Sequence, residues 1–181
     1  MEPVEIAAGA LQLRPFGLAD VSSLVAACQD PDIARWTSIP SPYTVEHATA
    51  FVAEVIPRAW TEETAAPLGV FDATSGDLLA SVGLVSLRRD AGLAELGYWT
   101  APWARRRGVA TAASLAVARW AFGALCVARL EWLAEVGNVA SRTVAERAGF
   151  TVEGLLRDRI ATRDGGRADA WIGALLPRDL A

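Results

Sequence analysis

Residues 95–111 of this 181-residue chain, ELGYWTAPWARRRGVAT, lead from a strand pattern through three successive arginines into a helix. The unpaired N–H groups at the start of a helix, together with the positive end of its dipole, attract anions. Residues 105–110 also match the pattern Gln/Arg-x-x-Gly-x-Gly/Ala, in which Gly108 lets phosphate oxygens approach the backbone. The stretch therefore predicts a strand, a turn that would suit a pyrophosphate, and a helix. Taken alone, so short a pattern also fits an exposed arginine turn.

The segments around this stretch predict a mixed α/β sheet. Turn residues separate apolar runs at 68–72 and 78–85, which predicts an antiparallel hairpin. Residues 129–136 alternate apolar and polar side chains over much of their length, as a half-buried strand does. A strand at 93–100 and a helix at 108–122 come before it, so the three segments predict a parallel strand pair joined by a crossover helix.

Further elements are predicted towards both ends of the chain. A strand at 11–16 precedes an apolar helix that ends near Cys28 and for which Asp20 is the expected N-cap. A second helix begins at Thr44 without a full capping box, because His47 stands where Glu or Gln is needed. The C-terminal part predicts a helix at 140–148 ended by Gly149, a strand from 150 and a last strand near 168–176. One domain over residues 1–181 is expected.

The composition argues against several classes of function. All 17 basic residues are arginine, so a Walker lysine or a Schiff-base lysine is absent. The net charge of −4 argues against general nucleic-acid binding, which needs a basic surface. His47 is the single histidine, so a zinc site or a hydrolase triad is poorly supported and no metal is expected.

The chain also lacks the patterns of an exported or membrane protein. No apolar run approaches the roughly 20 residues that span a bilayer, and the N-terminus lacks the basic start of a signal peptide. Cys28 and Cys126 are too few for a disulfide framework and are predicted to be small buried residues, not nucleophiles. A cytoplasmic protein without a membrane partner is expected.

The order of these motifs resembles the GNAT acyltransferases, specifically their RimJ/RimL-like branch. The resemblance covers most of the chain and rests on residues 11–16 with Asp20, on 94–99, on the arginine–glycine turn with its helix, and on 138–154. It implies a mixed, mostly antiparallel central sheet with a splayed parallel strand pair and helices on both faces. The chain departs from the branch at Arg106, where a glycine is common. The turn is therefore expected to be stiffer here, and its contacts to the pyrophosphate are expected to rely more on side chains.

The resemblance implies acetyl-CoA as the co-substrate. Backbone groups of Trp99 and Thr100 are expected to pair with its pantetheine arm, where two neighbouring strands separate. Asn138 is expected to hydrogen-bond the pantetheine, unless it is a plain turn residue. The pyrophosphate is expected on the backbone N–H groups of 106–111, with the arginines supplying charge, which gives Arg105, Arg106, Arg107, Gly108, Val109, Ala110 and Thr111 as binding residues.

Two residues are the candidates for catalysis. An acceptor ammonium with a pKa of about 10.4 must lose a proton before it attacks the thioester, and Glu95 is the candidate base, directly or through water. The alternative for Glu95 is a solvated strand position. Ser141 is the candidate hydrogen-bond donor to the departing sulfur, with a helix cap as its alternative. Tyr98 could be the acid instead, although a regular strand puts it on the face opposite Glu95.

The acceptor site is less well defined by the sequence. Trp36 and Tyr43 lie in the loop 35–43 and are expected to form an acceptor wall, unless both rings pack at the edge of the core. Four tryptophans are predicted in the core, namely Trp60, Trp120, Trp132 and Trp171. The predicted reaction is acetyl transfer to a primary amine, either a protein N-terminus or a small amine. Another donor such as succinyl-CoA and a non-catalytic acyl-CoA-binding module are the alternatives, and a homodimer is left open.

Overall fold

The computed structural model describes residues 1–180, which form one eight-stranded sheet and six α-helices. The strands are β1 (Ile6–Ala8), β2 (Leu11–Arg14), β3 (Ala66–Asp72), β4 (Leu78–Arg88), β5 (Leu93–Thr100), β6 (Arg129–Glu135), β7 (Thr151–Ala161) and β8 (Arg167–Leu175). The helices are α1 (Val21–Cys28), α2 (Pro31–Trp36), α3 (Val45–Ala50), α4 (Ile56–Glu62), α5 (Val109–Ala124) and α6 (Val139–Arg147), and a π-helix (Phe51–Val55) joins α3 to α4.

The sheet has the order β1-β2-β3-β4-β5-β6-β8-β7, and only β5 and β6 are parallel neighbours. Helix α5 connects these two strands, which confirms the predicted crossover. Their pairing ends at Leu96 and Trp132, whereas β5 continues to Thr100 and β6 to Glu135. The parallel pair is therefore splayed, and the point at which its pairing ends is called the apex below.

Helices cover both faces of the sheet, as predicted. Successive side chains of β6 alternate between the two faces. Glu135 of β6 forms an ion pair with Arg35 of α2. Trp132 of β6 donates a hydrogen bond to Ser141 of α6. Trp132 and Glu135 are three positions apart, so their side chains point to opposite faces of the sheet. Helices α2 and α6 therefore lie on opposite faces. No helix within residues 1–180 is long and apolar enough to cross a membrane.

The core confirms most, but not all, of the predicted burial. Trp60 and Trp132 are fully buried, whereas Trp120 and Trp171 pack against the core while partly exposed. Cys28 is buried, and burial raises the pKa of its thiol to about 12, which disfavours the thiolate that a nucleophile needs. The prediction was wrong for Cys126, which is exposed. This residue adopts a φ of 55° in the turn between α5 and β6, outside the apolar face of the helix.

Two predicted helix starts differ in the structure. The carboxylate of Asp20 accepts the N–H of Gly17 and binds Arg14, both at 2.7 Å, and it caps no N–H of α1. Asp20 therefore stands at the N-cap position, as predicted, but the salt bridge to Arg14 competes for the side chain that was expected to cap. At α3, Nδ1 of His47 accepts the backbone N–H of Thr44 at 3.2 Å. The imidazole of His47 therefore completes the capping box, which the sequence predicted to be incomplete.

Two N-terminal elements were missed. Strand β1 pairs with β2, but three residues are too short to show an alternating pattern. Helix α2 begins just after the predicted end of the first helix, because Asp30 accepts the N–H groups of Asp32 and Ile33 and Pro31 suits the first helical turn. This helix includes Trp36, so the predicted acceptor loop is shorter than expected.

Candidate active site

The splay leaves one edge of β5 without a strand partner. Trp99 and Thr100 pair with Ser81 and Ala80 of β4, but beyond Leu96 no described residue of β6 pairs with β5. Both residues are half-buried. An unpaired strand edge presents backbone N–H and C=O groups to an extended chain that contains amides. This edge can therefore bind a pantetheine-like arm by main-chain hydrogen bonds.

The turn before α5 has the backbone features of an anion site. Gly108 has a φ of 75°, and a methyl group added to it would meet no atom within 4 Å, so the space above the turn is open. Within residues 1–180, the N–H groups of Val109, Ala110 and Thr111 have no hydrogen-bond acceptor, and the first such bond of the helix is from Ala112 to Gly108. Three N–H groups and the helix dipole thus face open space.

The three arginines of this turn have different environments. Arg106 has a φ of 61°, so the backbone keeps the left-handed conformation that a glycine would favour, at a cost of about 1–2 kcal/mol. Arg106 and Arg107 are exposed and form no ion pair with the described residues. Arg105 instead binds Asp30 at 2.5 Å and Asp32 at 3.3 Å. Its guanidinium therefore links the turn to α2, and part of its charge is already balanced by two carboxylates.

Glu95 lies in a polar cavity of about 240 Å³ on one face of the sheet. The cavity is lined by Ser86, Arg88, Leu93, Ala94, Glu95, Glu131 and Arg159. Burial raises the pKa of the Glu95 carboxyl, Arg159 partly offsets this, and Glu131 adds to it. A raised pKa makes a carboxylate a stronger proton acceptor, which is what a general base requires.

Ser141 belongs to a hydrogen-bonded cluster on the other face. Its Oγ accepts the indole N–H of Trp132 at 3.0 Å and donates to the hydroxyl of Tyr98 at 3.2 Å. The Tyr98 hydroxyl donates in turn to the carbonyl oxygen of Ser141 at 2.8 Å. Burial raises the pKa of Tyr98 to about 12, so this hydroxyl stays protonated. The cluster holds two hydroxyl groups that can act as hydrogen-bond donors.

The N-cap of α6 is Asn138, and Ser141 is not a cap. Oδ1 of Asn138 accepts the N–H of Ser141 at 3.1 Å, and Ser141 is the third residue of the helix. The cap-only alternative for Ser141 is therefore excluded. The amide nitrogen of Asn138 donates no hydrogen bond to the described residues, so it can still donate to a ligand.

Glu95 and Tyr98 lie on opposite faces beside the apex. The bulge in this part of the sheet falls in β4, between Leu84 and Ser86, so β5 keeps its alternation. Glu95 pairs with Glu131 one position before the apex. A thioester at the apex would have the carboxylate on one face and the Tyr98–Ser141 hydroxyls on the other. This arrangement can remove a proton on one side of a reacting carbonyl and stabilise a leaving group on the other.

The two residues of the expected acceptor wall have different environments. Trp36 is exposed, and a methyl group added to Gly137, in the turn before α6, would lie 3.9 Å from its ring. Tyr43 is buried beside His47, with 5.9 Å between ring centroids, and burial raises its pKa to about 12. The apolar surroundings of Tyr43 match the packing alternative, whereas Trp36 stays a candidate for acceptor contact.

Several residues of the site were not found from the sequence. Arg88, Glu131 and Arg159 line the Glu95 cavity, although they come from three different strands. The alternation of β6 could have identified Glu131, but only with its register against β5. Arg163, in the turn between β7 and β8, donates to the carbonyl oxygens of Ala34, Thr37 and Ile39 and so fixes the segment after α2. Within residues 1–180, no group of three or more His, Cys, Asp or Glu side chains could hold a metal ion.

Comparison with known proteins gives matches over most of the chain. The family model described as "Acetyltransferase (GNAT) domain" matches residues 10–151. A curated relative from Bacillus subtilis, named "Putative ribosomal N-acetyltransferase YdaF", is 36% identical over 104 residues. This match spans 58% of the chain and 56% of the relative, so the chain covers little more than half of that relative's length.

Two solved structures share the whole fold. One is described as "a putative ribosomal-protein-serine acetyltransferase from Vibrio cholerae", with a TM-score of 0.84, 25% identity, and coverage of 98% of this chain and 100% of that chain. The other is RimJ of Mycobacterium smegmatis in complex with CoA-disulfide, with a TM-score of 0.81, 22% identity, and coverage of 99% and 88%. At 22% identity, the comparison with RimJ shows only that the two proteins share a fold.

Proposed function

We propose, because this chain belongs to the GNAT acetyltransferase family, that it transfers the acetyl group of acetyl-CoA to the α-amino group of a protein N-terminus. The observation that carries the proposal is the placement of Glu95 and the Tyr98–Ser141 pair on opposite faces beside the apex. The names of the B. subtilis relative and the V. cholerae structure support a ribosomal protein as the acceptor. Such an acceptor fits a reaction in the cytoplasm.

Acetyl-CoA would bind through two main-chain sites. Its pyrophosphate would accept hydrogen bonds from residues 109–111, where Gly108 leaves room for close approach. Its pantetheine arm would pair with the open edge of Trp99 and Thr100, and the free amide nitrogen of Asn138 would donate to it. The match to the acetyltransferase family model supports an acyl-CoA as the donor. This binding mode would bring the thioester to the apex.

Glu95 would act as the general base. An α-ammonium has a reference pKa of about 7.7–8.0, whereas a lysine ammonium has one of about 10.4. The difference between amine and carboxyl pKa values is therefore smaller for an N-terminus, and the raised pKa of Glu95 narrows it further. Glu95 would take the proton of the ammonium directly or through water, and the neutral amine would attack the thioester carbonyl carbon.

Ser141 would stabilise the departing sulfur. Its hydroxyl proton is committed to Tyr98 by a hydrogen bond of 3.2 Å, which is long for an O–H···O contact. That proton can turn to a thiolate at little cost, while the shorter bond from Trp132 still fixes the Ser141 oxygen. Since the reference pKa of a thiol is about 8.5, the developing thiolate needs a hydrogen bond and then a proton. The hydroxyl pair can donate the hydrogen bond and can relay the proton from water, so that both hydroxyls stay protonated.

The test is acetylation of a peptide with a free N-terminal serine, compared with a matched peptide whose N-terminus is blocked and which carries a lysine. We expect CoA thiol release with the first peptide, and mass spectrometry should locate the acetyl group on its α-nitrogen. Acetylation of the lysine alone would contradict the N-terminal acceptor. Release with succinyl-CoA but not acetyl-CoA would contradict the donor, and CoA binding without any thiol release would indicate a binding module.

A further inference from the structure

The cavity beside Glu95 contains more charge than a general base requires. Two carboxylates, Glu95 and Glu131, and two guanidinium groups, Arg88 and Arg159, line it together. Glu131 is bound by Arg129 at 2.9 Å, outside the lining. Arg88 and Arg159 form no ion pair with any residue in the described part of the chain. The cavity therefore offers one carboxylate and two guanidinium groups that lack partners.

We propose that this cavity selects acceptors that carry a carboxylate close to the reacting amine, as an N-terminus with aspartate at its second position does. The inference rests on the proposed transfer to an α-amine and names its acceptor class. Glu95 takes the ammonium proton, and Arg88 and Arg159 bind the carboxylate. Arginine suits this task because its planar fork can bind both carboxylate oxygens.

The charge balance of the lining supports this acceptor class. The four ionisable side chains of the lining sum to zero when all are charged. A lone ammonium that enters the cavity meets two guanidinium groups of like charge. An acceptor that brings its own carboxylate adds no net charge, and it gives both guanidinium groups a partner. A zwitterionic end therefore matches the lining better than a purely cationic amine does.

The backbone around Arg159 is held in place. The pairing of β7 with β8 shifts register between Leu156 and Ile160, which marks a bulge around Arg159. The N–H of Asp158 donates to Asp169 at 2.9 Å, and Arg167 donates to the carbonyl oxygens of Asp158 and Arg159. Bulges commonly redirect a side chain near a functional site. Here the bulge brings an arginine from an edge strand to the same cavity as Glu95.

The size of the cavity limits what the acceptor can place in it. A volume of about 240 Å³ lies below the range of about 300–1,000 Å³ that is typical of ligand pockets. This space suits an amino group and one short acidic side chain better than several residues of a peptide. The first or second residue of the acceptor, or a free amino acid, is therefore the best-placed source of the carboxylate.

The experiment compares kcat/KM for peptides that begin Ser-Asp and Ser-Asn and are otherwise identical, with free serine and serine amide as a second pair. We expect the acidic peptide to be preferred about 10-fold or more, the range of one charged hydrogen bond. In Arg88→Gln and in Arg159→Gln, the ratio of kcat/KM for the Ser-Asp peptide to kcat/KM for the Ser-Asn peptide should fall towards one. Arg119→Gln, an exposed arginine on α5 outside the lining, is the matched control and should keep the preference.

Each outcome bears on one of the two proposals. Equal rates for both peptides in the wild type would overturn this inference and leave the proposed function standing. A preference that survives both arginine substitutions would also overturn it. Turnover of free serine over its amide, without turnover of either peptide, would contradict the N-terminal acceptor and support the cavity assignment. No turnover of any acceptor would contradict both.

Discussion

The turn that would bind the cofactor and the cavity that would bind the acceptor are built in opposite ways. The turn is one continuous segment, residues 105–111, and it presents backbone N–H groups. The cavity draws its lining from β4, β5, β6 and β7, and it presents side chains. The turn therefore depends on backbone conformation, whereas the cavity depends on the chemistry of individual side chains. Substitutions that separate conformation from charge should affect the two regions differently.

The largest effect is expected from Glu95→Gln in the cavity. Turnover should fall about 10²-fold or more, because the amide cannot accept the ammonium proton, while the affinity for CoA should stay unchanged. Thiol release and calorimetry measure the two quantities, and Glu54→Gln, an exposed carboxyl on the π-helix, is the control. An equal loss of CoA affinity would mean that the cavity and the turn are not independent.

The same variant has a pH-dependent effect on stability. The folded state raises the pKa of Glu95, so it favours the protonated carboxyl. Ionisation therefore destabilises the fold above the folded pKa, and this cost disappears below the unfolded pKa. Glu95→Gln should melt at a higher temperature than the wild type at neutral pH, and the difference should vanish in acid. A lower melting temperature at neutral pH would contradict the burial of an ionised carboxylate.

The next largest effect is expected from Gly108→Val in the turn. A β-branched residue with a φ of 75° is strained, and its side chain would occupy the space above the N–H groups of α5. The affinity for CoA should fall about 10-fold or more, measured by calorimetry well below the melting temperature. Gly123→Val on the same helix is the control, because open space also surrounds that glycine. An unchanged affinity in Gly108→Val would refute the phosphate site.

Ser141→Ala should have an intermediate effect, because it removes one of two neighbouring hydroxyls. Turnover with acetyl-CoA should fall about 10-fold, and the defect should shrink with a donor whose thiol has a lower pKa. The unfolding free energy should fall by about 1–3 kcal/mol, because the buried indole N–H of Trp132 loses its acceptor. Thr143→Val removes an exposed hydroxyl from the same helix and is the control. An equal defect on both donors would argue against a role at the sulfur.

The smallest effect is expected from Arg106→Gly, which removes charge but keeps the backbone conformation of the turn. CoA affinity should change about threefold or less, since one exposed charge contributes little once salt screens it. Calorimetry at two salt concentrations measures this. A loss as large as that of Gly108→Val would mean that the side chains, not the main chain, hold the pyrophosphate.

The contrast between the two regions also explains what the sequence could predict. The bounds of β5 and the start of α5 follow from local patterns, and the glycine turn lies between them in one segment. The cavity could not be found this way, because Glu131 joins Glu95 only through the register of two strands, and Arg159 reaches it only through a bulge. Tyr43 was expected in an acceptor wall because a loop position reveals nothing about burial. The role of Asn138 as the cap was decided by a competition between two good capping residues.

The measurement that tests the central claim most directly is the pH dependence of kcat/KM for the wild type and Glu95→Gln with the same peptide. Only the ionised carboxylate can accept the ammonium proton, so the wild-type rate should fall as the pH drops through the raised pKa of Glu95. This acidic limb of the pH–rate profile should be missing from Glu95→Gln. The limb that reflects ionisation of the acceptor amine should remain in both proteins. An acidic limb of the same position and steepness in both proteins would contradict Glu95 as the base.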